Sequence, residues 1–168
     1  MRLFALFSLA AMVALALQTT LSSLLPTAFL IPNLALILVV NLGLRHHTVG
    51  AALAAFGIGY ATDAFSGSQL GLHALLFTAI FIVTYWFSRA VFSAGAGVGA
   101  IAVFGGVVLC DLGNYSISSG WVSPMSLPAT MPAILLQAAI TTAWAPLVFG
   151  LMWQATRIIG LRQRLARE

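Results

Sequence analysis

Six long apolar segments, separated by short polar connections, constrain the fold of this chain more than any other feature. Hydrophobic residues make up 61% of the sequence and charged residues only 6%, too few to cover a water-soluble domain of this size. Each segment is close to the ~20 residues that a helix needs to cross ~30 Å of hydrocarbon. We therefore predict an all-α integral membrane protein with one domain, a six-transmembrane-helix bundle. The predicted helices cover residues 3–25, 28–44, 49–65, 70–87, 91–112 and 129–153, and a short basic cytoplasmic tail covers residues 157–168.

The positions of the arginines predict the orientation of these helices. Arg2, Arg45, Arg89 and the arginines of the tail fall on one side of the predicted membrane, whereas the connections on the other side contain no arginine. Basic residues are enriched in cytoplasmic connections. The pattern therefore places both termini in the cytoplasm.

A second interpretation of the N-terminus treats it as a cleaved signal peptide. Arg2 would then be its basic region, residues 3–15 its apolar region, and Ala14-Leu15-Ala16 its cleavage site. The apolar run continues to Leu25 and reaches full spanning length, which favours a retained helix. Cleavage would leave five helices and the same cytoplasmic tail.

Composition argues against several classes of function. The net charge is +4, but the arginines are dispersed at helix ends without a basic face, so we predict no binding of nucleic acid. No nucleophile and base pair, carboxylate dyad or metal-ligand cluster is evident, which predicts no catalytic residues, no metal, no cofactor and no enzymatic activity. Cys110 is the single cysteine and cannot form an intramolecular disulfide.

The segment from Asp63 to His73 is a polar, glycine-bearing turn between two apolar runs. An acidic side chain in such apolar surroundings costs free energy, so its presence indicates a structural or functional role. Asp63 can organise the turn by accepting hydrogen bonds from amides at the start of the next helix, or it can contact a partner or ligand. His73 fits an interfacial side chain better than a metal ligand, because no second histidine stands at ligand spacing on that side.

Several polar residues are predicted to lie at similar depths on the side opposite the arginines. Counting along the chain places Asp63 ~27 Å from Arg45 and Asp111 ~33 Å from Arg89. The predicted outer polar layer contains Gln18, Asp63, Asp111 and Gln137, together with Asn33, His73, Asn114 and the Thr141-Thr142 pair slightly deeper.

The remaining two-thirds of the predicted bundle is almost purely apolar. A proton or ion pathway needs ionisable groups in the middle of the membrane, so this distribution disfavours a proton-coupled transporter or channel. It suits a shallow outward pocket or a docking surface.

Residues 32 to 73 resemble the MreD family of bacterial rod shape-determining membrane proteins. The points of similarity are the Pro32-Asn33 pair that opens a short helix, the basic turn at Arg45, a helix with Gly57 and Gly59, and Asp63-x-x-Ser66-Gly67-x-x-x-Gly71. Many family members have an arginine before the Pro-Asn pair, where this chain has Ile31.

The resemblance implies a non-enzymatic scaffold in the bacterial inner membrane. Family members bind the single-pass protein MreC directly. Through it they associate with MreB, RodA and a class B penicillin-binding protein, and so help to direct lateral peptidoglycan synthesis and maintain rod shape. The family fold is similar to the substrate-binding subunits of energy-coupling-factor transporters. The residues that the resemblance assigns to a partner-binding or structural motif are Pro32, Asn33, Gly59, Asp63, Ser66, Gly67, Gly71 and His73.

The alternative is a small-molecule-binding membrane subunit of an energy-coupling-factor-type transporter. In that interpretation the Ala10-xxx-Ala14 face contacts a coupling subunit. The residues lining its pocket would be Gln18, Asp63, Asp111 and Gln137.

Overall fold

The computed structural model describes residues 2–24, 31–66, 70–90, 96–118 and 127–165. Within these ranges the regular structure is entirely helical, as predicted. Three of the helices contain spans that are long and apolar enough to cross a membrane, over Leu72–Arg89, Gly97–Ile117 and Thr130–Arg157. The helices are α1 (Arg2–Leu24), α2 (Leu34–Arg45), α3 (Val49–Ser66), α4 (Leu72–Ala90), α5 (Ala96–Ser118) and α6 (Leu127–Leu165).

Three helix boundaries differ substantially from those expected, and one of them is the end of the fifth helix, at Ser118 instead of residue 112. The second helix begins at Leu34 instead of residue 28, because the Asn33 side chain caps it by accepting a hydrogen bond from the Leu36 amide at 3.0 Å. The sixth helix continues to Leu165 through most of the predicted tail, since no proline follows Pro146 within it. An apolar run in the sequence shows which part of a helix is suited to hydrocarbon. It does not show where the backbone hydrogen bonds of that helix end.

Helix α2 is the centre of the bundle and packs against all five other helices. Every residue from Leu34 to Gly43 is buried, and the side chains of Leu36, Ile37 and Val39 have no exposed surface. With 12 residues it is about 18 Å long, well short of the ~30 Å hydrocarbon core of a bilayer. A helix that is apolar on all sides is stabilised by burial, and the other helices provide that burial.

The approach of α2 to α4 depends on a glycine. A Cβ atom at Gly43 would lie 2.9 Å from Thr84 Cβ and 3.1 Å from the Phe81 carbonyl oxygen. Neither atom is the free end of a flexible side chain. The two helices can therefore pack at this distance only while position 43 has no side chain.

One end of the bundle, which we call the basic end, contains the C-termini of α2 and α4 and the α6 segment around Trp153. The His47 ring nitrogen Nε2 lies 3.0 Å from Ser88 Oγ and joins the two C-termini. The His46 ring meets Phe7 of α1 edge-on at 5.4 Å. The arginines whose side chains are described all lie at the basic end, and they are Arg45, Arg89 and Arg157.

Replacing Gly43 by alanine tests the packing of the central helix. We expect Gly43→Ala to lower the free energy of unfolding by about 1–3 kcal/mol, as overpacking does in well-packed cores, although alanine favours helices over glycine. Gly57→Ala is the matched control, because a Cβ atom there meets nothing within 4 Å. Thermal unfolding of the purified protein in mild detergent measures both. Equal stability of the two variants would contradict the close α2–α4 contact.

Candidate functional site

Asp63 lies at the junction of α3 and α4 and has no exposed surface. Its Oδ2 accepts hydrogen bonds from the backbone amides of Gly71 at 2.9 Å and Ala74 at 3.2 Å. Its Oδ1 accepts one from the His73 amide at 3.1 Å and lies 2.7 Å from His73 Nδ1. A side chain near the end of one helix thus caps the beginning of the next.

The capping follows from what a helix start requires. The first amides of α4 have no partner within their own helix, and a carboxylate is the favourable charge at that end of the helix dipole. Gly71 adopts a φ of 95°, which side-chain-bearing residues rarely adopt. This turn aims the Gly71 amide at Asp63. The glycine and the acid therefore act together.

Gly59 lies one helical turn before Asp63 and brings α3 against α4. A Cβ atom at Gly59 would lie 2.5 Å from the His73 carbonyl oxygen and 2.6 Å from Ala74 Cα. Both of these are backbone atoms and cannot move aside independently. The absence of a side chain at Gly59 lets the two backbones approach closely enough for the carboxylate to reach the amides.

The His73 side chain is held on two sides. Its Nδ1 faces the Asp63 carboxylate, and its ring meets the Phe77 ring edge-on with centroids 5.9 Å apart. Only 13% of the side chain is exposed. This places His73 in the hairpin junction, where it contributes to the cap.

A second polar junction surrounds Pro32 and Asn33 at the start of α2. Gln18 of α1 donates a hydrogen bond from Nε2 to the Pro32 carbonyl at 3.1 Å. The backbone amide of Asn33 donates a hydrogen bond to Thr141 Oγ1 of α6 at 3.2 Å, and Thr141 is fully buried. Side chains from the first and last helices therefore hold the beginning of the central one.

We call the residues of these two junctions, together with Asp111, the polar layer. Asp111 is half-buried on α5 and lies in the neighbourhood of His73. Its Oδ2 is buried without a hydrogen-bond partner among the described residues. The polar layer consists of Gln18, Pro32, Asn33, Gly59, Asp63, Gly71, His73, Asp111 and Thr141.

The polar layer, as its residues are named above, does not include three of the predicted site residues. Ser66 is exposed at the last position of α3, and Gln137 is half-buried one turn before Thr141 on α6. Gly67 lies outside the described residues. The polar layer thus contains most, but not all, of the residues that we predicted from the sequence as site residues.

The polar layer lies toward the end of α3 and at the beginning of α4. Asp63 lies ~21 Å along α3 from Val49, and Asp111 lies ~22 Å along α5 from Ala96. Helices α1, α5 and α6 extend beyond the layer, whereas α2 and α4 begin at it.

Two contacts were missed because sequence patterns do not specify pairs of helices. Thr141 was noticed only as part of a threonine pair, and its bond to the Asn33 amide joins residues 108 positions apart. The contact of Gly43 with Thr84 likewise depends on how two helices cross. A glycine within an otherwise apolar helix was the available signal for close packing.

Among the described residues, three apolar grooves and one polar cleft open on the surface of the bundle, and the smallest groove, of about 150 Å³, lies between α4 and α5. The α1–α3 groove, of about 220 Å³, runs from Phe7 to Phe65 between those helices. The α5–α6 groove, of about 710 Å³, reaches Arg45 at the basic end. A polar cleft of about 340 Å³ adjoins it and is lined by Asn41, Arg45, His46, Met152, Trp153 and Thr156.

His46 at the edge of the polar cleft has a lowered pKa. Burial is the main cause, and the neighbouring charges of Arg45 and His47 act in the same direction. The imidazole is therefore neutral at neutral pH. Because the folded protein binds this proton less readily than the unfolded chain, His46 destabilises the fold as the pH falls through the ordinary histidine pKa.

Comparison with known proteins gave no match, whether to protein-family models, to curated sequences or to solved structures. Within the described ranges, no group of three or more His, Cys, Asp or Glu residues could hold a metal ion.

Matched substitutions of the two acids in the polar layer test the capping role. We expect Asp63→Asn to cost at least about 2 kcal/mol of stability, because an amide nitrogen would face buried N–H groups that now donate to a carboxylate oxygen. Asp111→Asn should leave stability unchanged or raise it, since Asp111 Oδ2 has no described partner. Thermal unfolding in detergent distinguishes the two. A similar loss in both variants would mean that the Asp63 contacts are not specifically stabilising.

Proposed function

We propose that this protein is a non-enzymatic scaffold of the bacterial cell-elongation complex, of the MreD type, with MreC as its direct partner. The observation that carries the proposal is the cap that Asp63 of α3 places on the start of α4 beside Gly71. The Asp63 carboxylate accepts hydrogen bonds from the first amides of α4. A buried carboxylate used in this way holds the two helices together and has no exposed oxygen for a substrate.

The structure describes most of the segment that carries the family resemblance. Its described part contains the Asn33 cap, the buried helix α2, the turn at Arg45 and the capped α3–α4 hairpin. These features fall at the positions of the resembling motifs. The agreement between the positions of the motifs and these structural features supports the proposal more strongly than the sequence motifs alone.

The proposed topology has six helices across the bacterial inner membrane and both termini in the cytoplasm. Arginines with described side chains gather at the basic end, and the described acids lie in the polar layer. This distribution agrees with the positive-inside rule if the basic end is cytoplasmic. The proposed helix arrangement is similar to that of energy-coupling-factor substrate-binding subunits, a likeness of fold that does not fix function.

The membrane helix of MreC would lie in the α1–α3 groove. Small residues line the groove and permit close approach of another helix. The groove extends from Phe7 beside His46 at the basic end to Phe65 next to the hairpin, so it follows much of the length of a spanning helix. Its small residues are Ala11, Ala54, Gly57 and Ala61.

In the wider complex the scaffold would act through MreC. MreB, RodA and a class B penicillin-binding protein would then associate with the complex without needing a catalytic group from this chain. The capped hairpin next to the groove would contact the base of the periplasmic part of MreC. Exposed Phe65 and Leu70 flank that turn and offer apolar contact area.

Affinity purification of the tagged protein from its native membranes tests the proposed identity. In mild detergent we expect mass spectrometry to recover MreC, a class B penicillin-binding protein and RodA. Recovery of ATPases with a coupling subunit would overturn the scaffold and support the transporter interpretation.

A substitution that fills the α1–α3 groove tests the docking site. We expect Gly57→Phe to reduce recovery of MreC at least tenfold, because the new ring would enter the groove from a position where a Cβ atom meets nothing within 4 Å. Gly150→Phe is the matched control, since position 150 is equally open and lines the α5–α6 groove instead. Normal recovery of MreC with Gly57→Phe would place its helix elsewhere.

The specific observation that favours the alternative is Asp111, whose buried Oδ2 lacks a described partner. As a substrate-binding subunit of a transporter, the chain would use this oxygen to bind a polar group of a vitamin. Isothermal titration of the purified protein with a panel of vitamins tests it. Saturable binding that disappears in Asp111→Ala would support the alternative, and the absence of binding across the panel would oppose it.

A further inference from the structure

The α5–α6 groove and the polar cleft meet at two shared residues, Arg45 and Trp153. The groove is apolar over most of its length, with Phe149 and Leu44 among the residues that line it. The cleft is polar, and it contains Asn41, a buried amide of the central helix that is only 2% exposed. The apolar groove therefore opens directly into the polar cleft at the basic end.

Two arginines lie close to the junction of the α5–α6 groove and the polar cleft. The exposed Arg45 lines both spaces, and the Arg157 guanidinium lies over the Trp153 ring at 5.3 Å. The described acids, Asp63 and Asp111, lie far away in the polar layer. Nothing described at the basic end neutralises these arginines by an ion pair.

We propose that this junction binds one anionic glycerophospholipid. Its phosphate would lie in the polar cleft against Arg45 and near Arg157, with Asn41 and Thr156 available for hydrogen bonds. One acyl chain would lie in the α5–α6 groove. Basic pockets between membrane helices on the cytoplasmic side bind anionic head groups in this manner.

The charge at one end of the site favours a lipid over a protein helix. Small and bulky residues both line the α5–α6 groove, as they line the α1–α3 groove, so side-chain size does not distinguish the two. The α5–α6 groove differs in reaching Arg45 and Trp153, which it shares with the polar cleft. An anionic lipid has both an apolar chain for the groove and a charged head group for the cleft. The site is on a different face from the proposed MreC groove and does not depend on that function.

Trp153 provides a direct probe of occupancy. A variant that keeps Trp153 and replaces Trp86, Trp121 and Trp144 by phenylalanine is reconstituted in phosphatidylcholine vesicles containing a minor fraction of brominated phosphatidylglycerol. Bromine quenches tryptophan fluorescence on contact. We expect brominated phosphatidylglycerol to quench Trp153 at a lower mole fraction than brominated phosphatidylcholine.

Two sets of further substitutions, made in the variant that keeps only Trp153, identify which residues contact the lipid. Arg45→Gln should reduce the preference for phosphatidylglycerol about fivefold, the effect of ~1 kcal/mol per basic residue, and Arg45→Lys should retain most of it. Arg89→Gln is the control, since Arg89 lies at the same end but contacts Tyr85. Gly150→Phe should weaken quenching by filling the groove, whereas Gly57→Phe should not.

Three results would overturn the proposal. Equal quenching by the two brominated lipids would show no selection for an anionic head group. An equal effect of Arg89→Gln and Arg45→Gln would indicate general attraction to the charged surface. Protection of Trp153 from both lipids would indicate that another occupant covers the groove. Gel filtration confirms that each variant is folded, so a loss of quenching reports on the site.

Discussion

The requirement to pair backbone amides inside an apolar bundle organises this structure. Helices α2 and α4 begin at the polar layer while α1, α5 and α6 continue past it, so the first amides of these two helices lie among other helices. Unpaired N–H groups are costly in such surroundings. Asn33 caps α2 and Asp63 caps α4. The polar layer exists where those helix starts need it.

The same requirement links packing to function. Gly59 brings α3 against α4, and the resulting proximity lets Asp63 reach across to the next helix. Gln18 and Thr141 hold the start of the central helix from two sides. In the proposed scaffold, the hairpin that these contacts hold together would be offered to a partner. The α1–α3 and α5–α6 grooves lie between different helices, so the proposed partner helix and the proposed lipid would not compete for one groove.

Part of this arrangement could be predicted from the sequence. The apolar runs indicated the helices, and Asp63 with its glycines indicated a structured turn. The start of α2 was misplaced, since Leu30 and Ile31 continue the apolar pattern and Asn33 acts as a cap only in a particular backbone geometry.

The sequence by itself determined the helical class, the apolar segments and the separation of the arginines from Asp63 and Asp111, because each depends on local composition and periodicity. Only the tertiary structure decided that α2 is the buried centre, that Thr141 meets Asn33, and that Arg45 lies where a groove joins a cleft. In an apolar bundle, helix faces directed toward lipid and toward protein have similar composition. The choice between them is made by close packing at glycines such as Gly43 and Gly59 and by the few polar contacts, which depend on how whole helices cross.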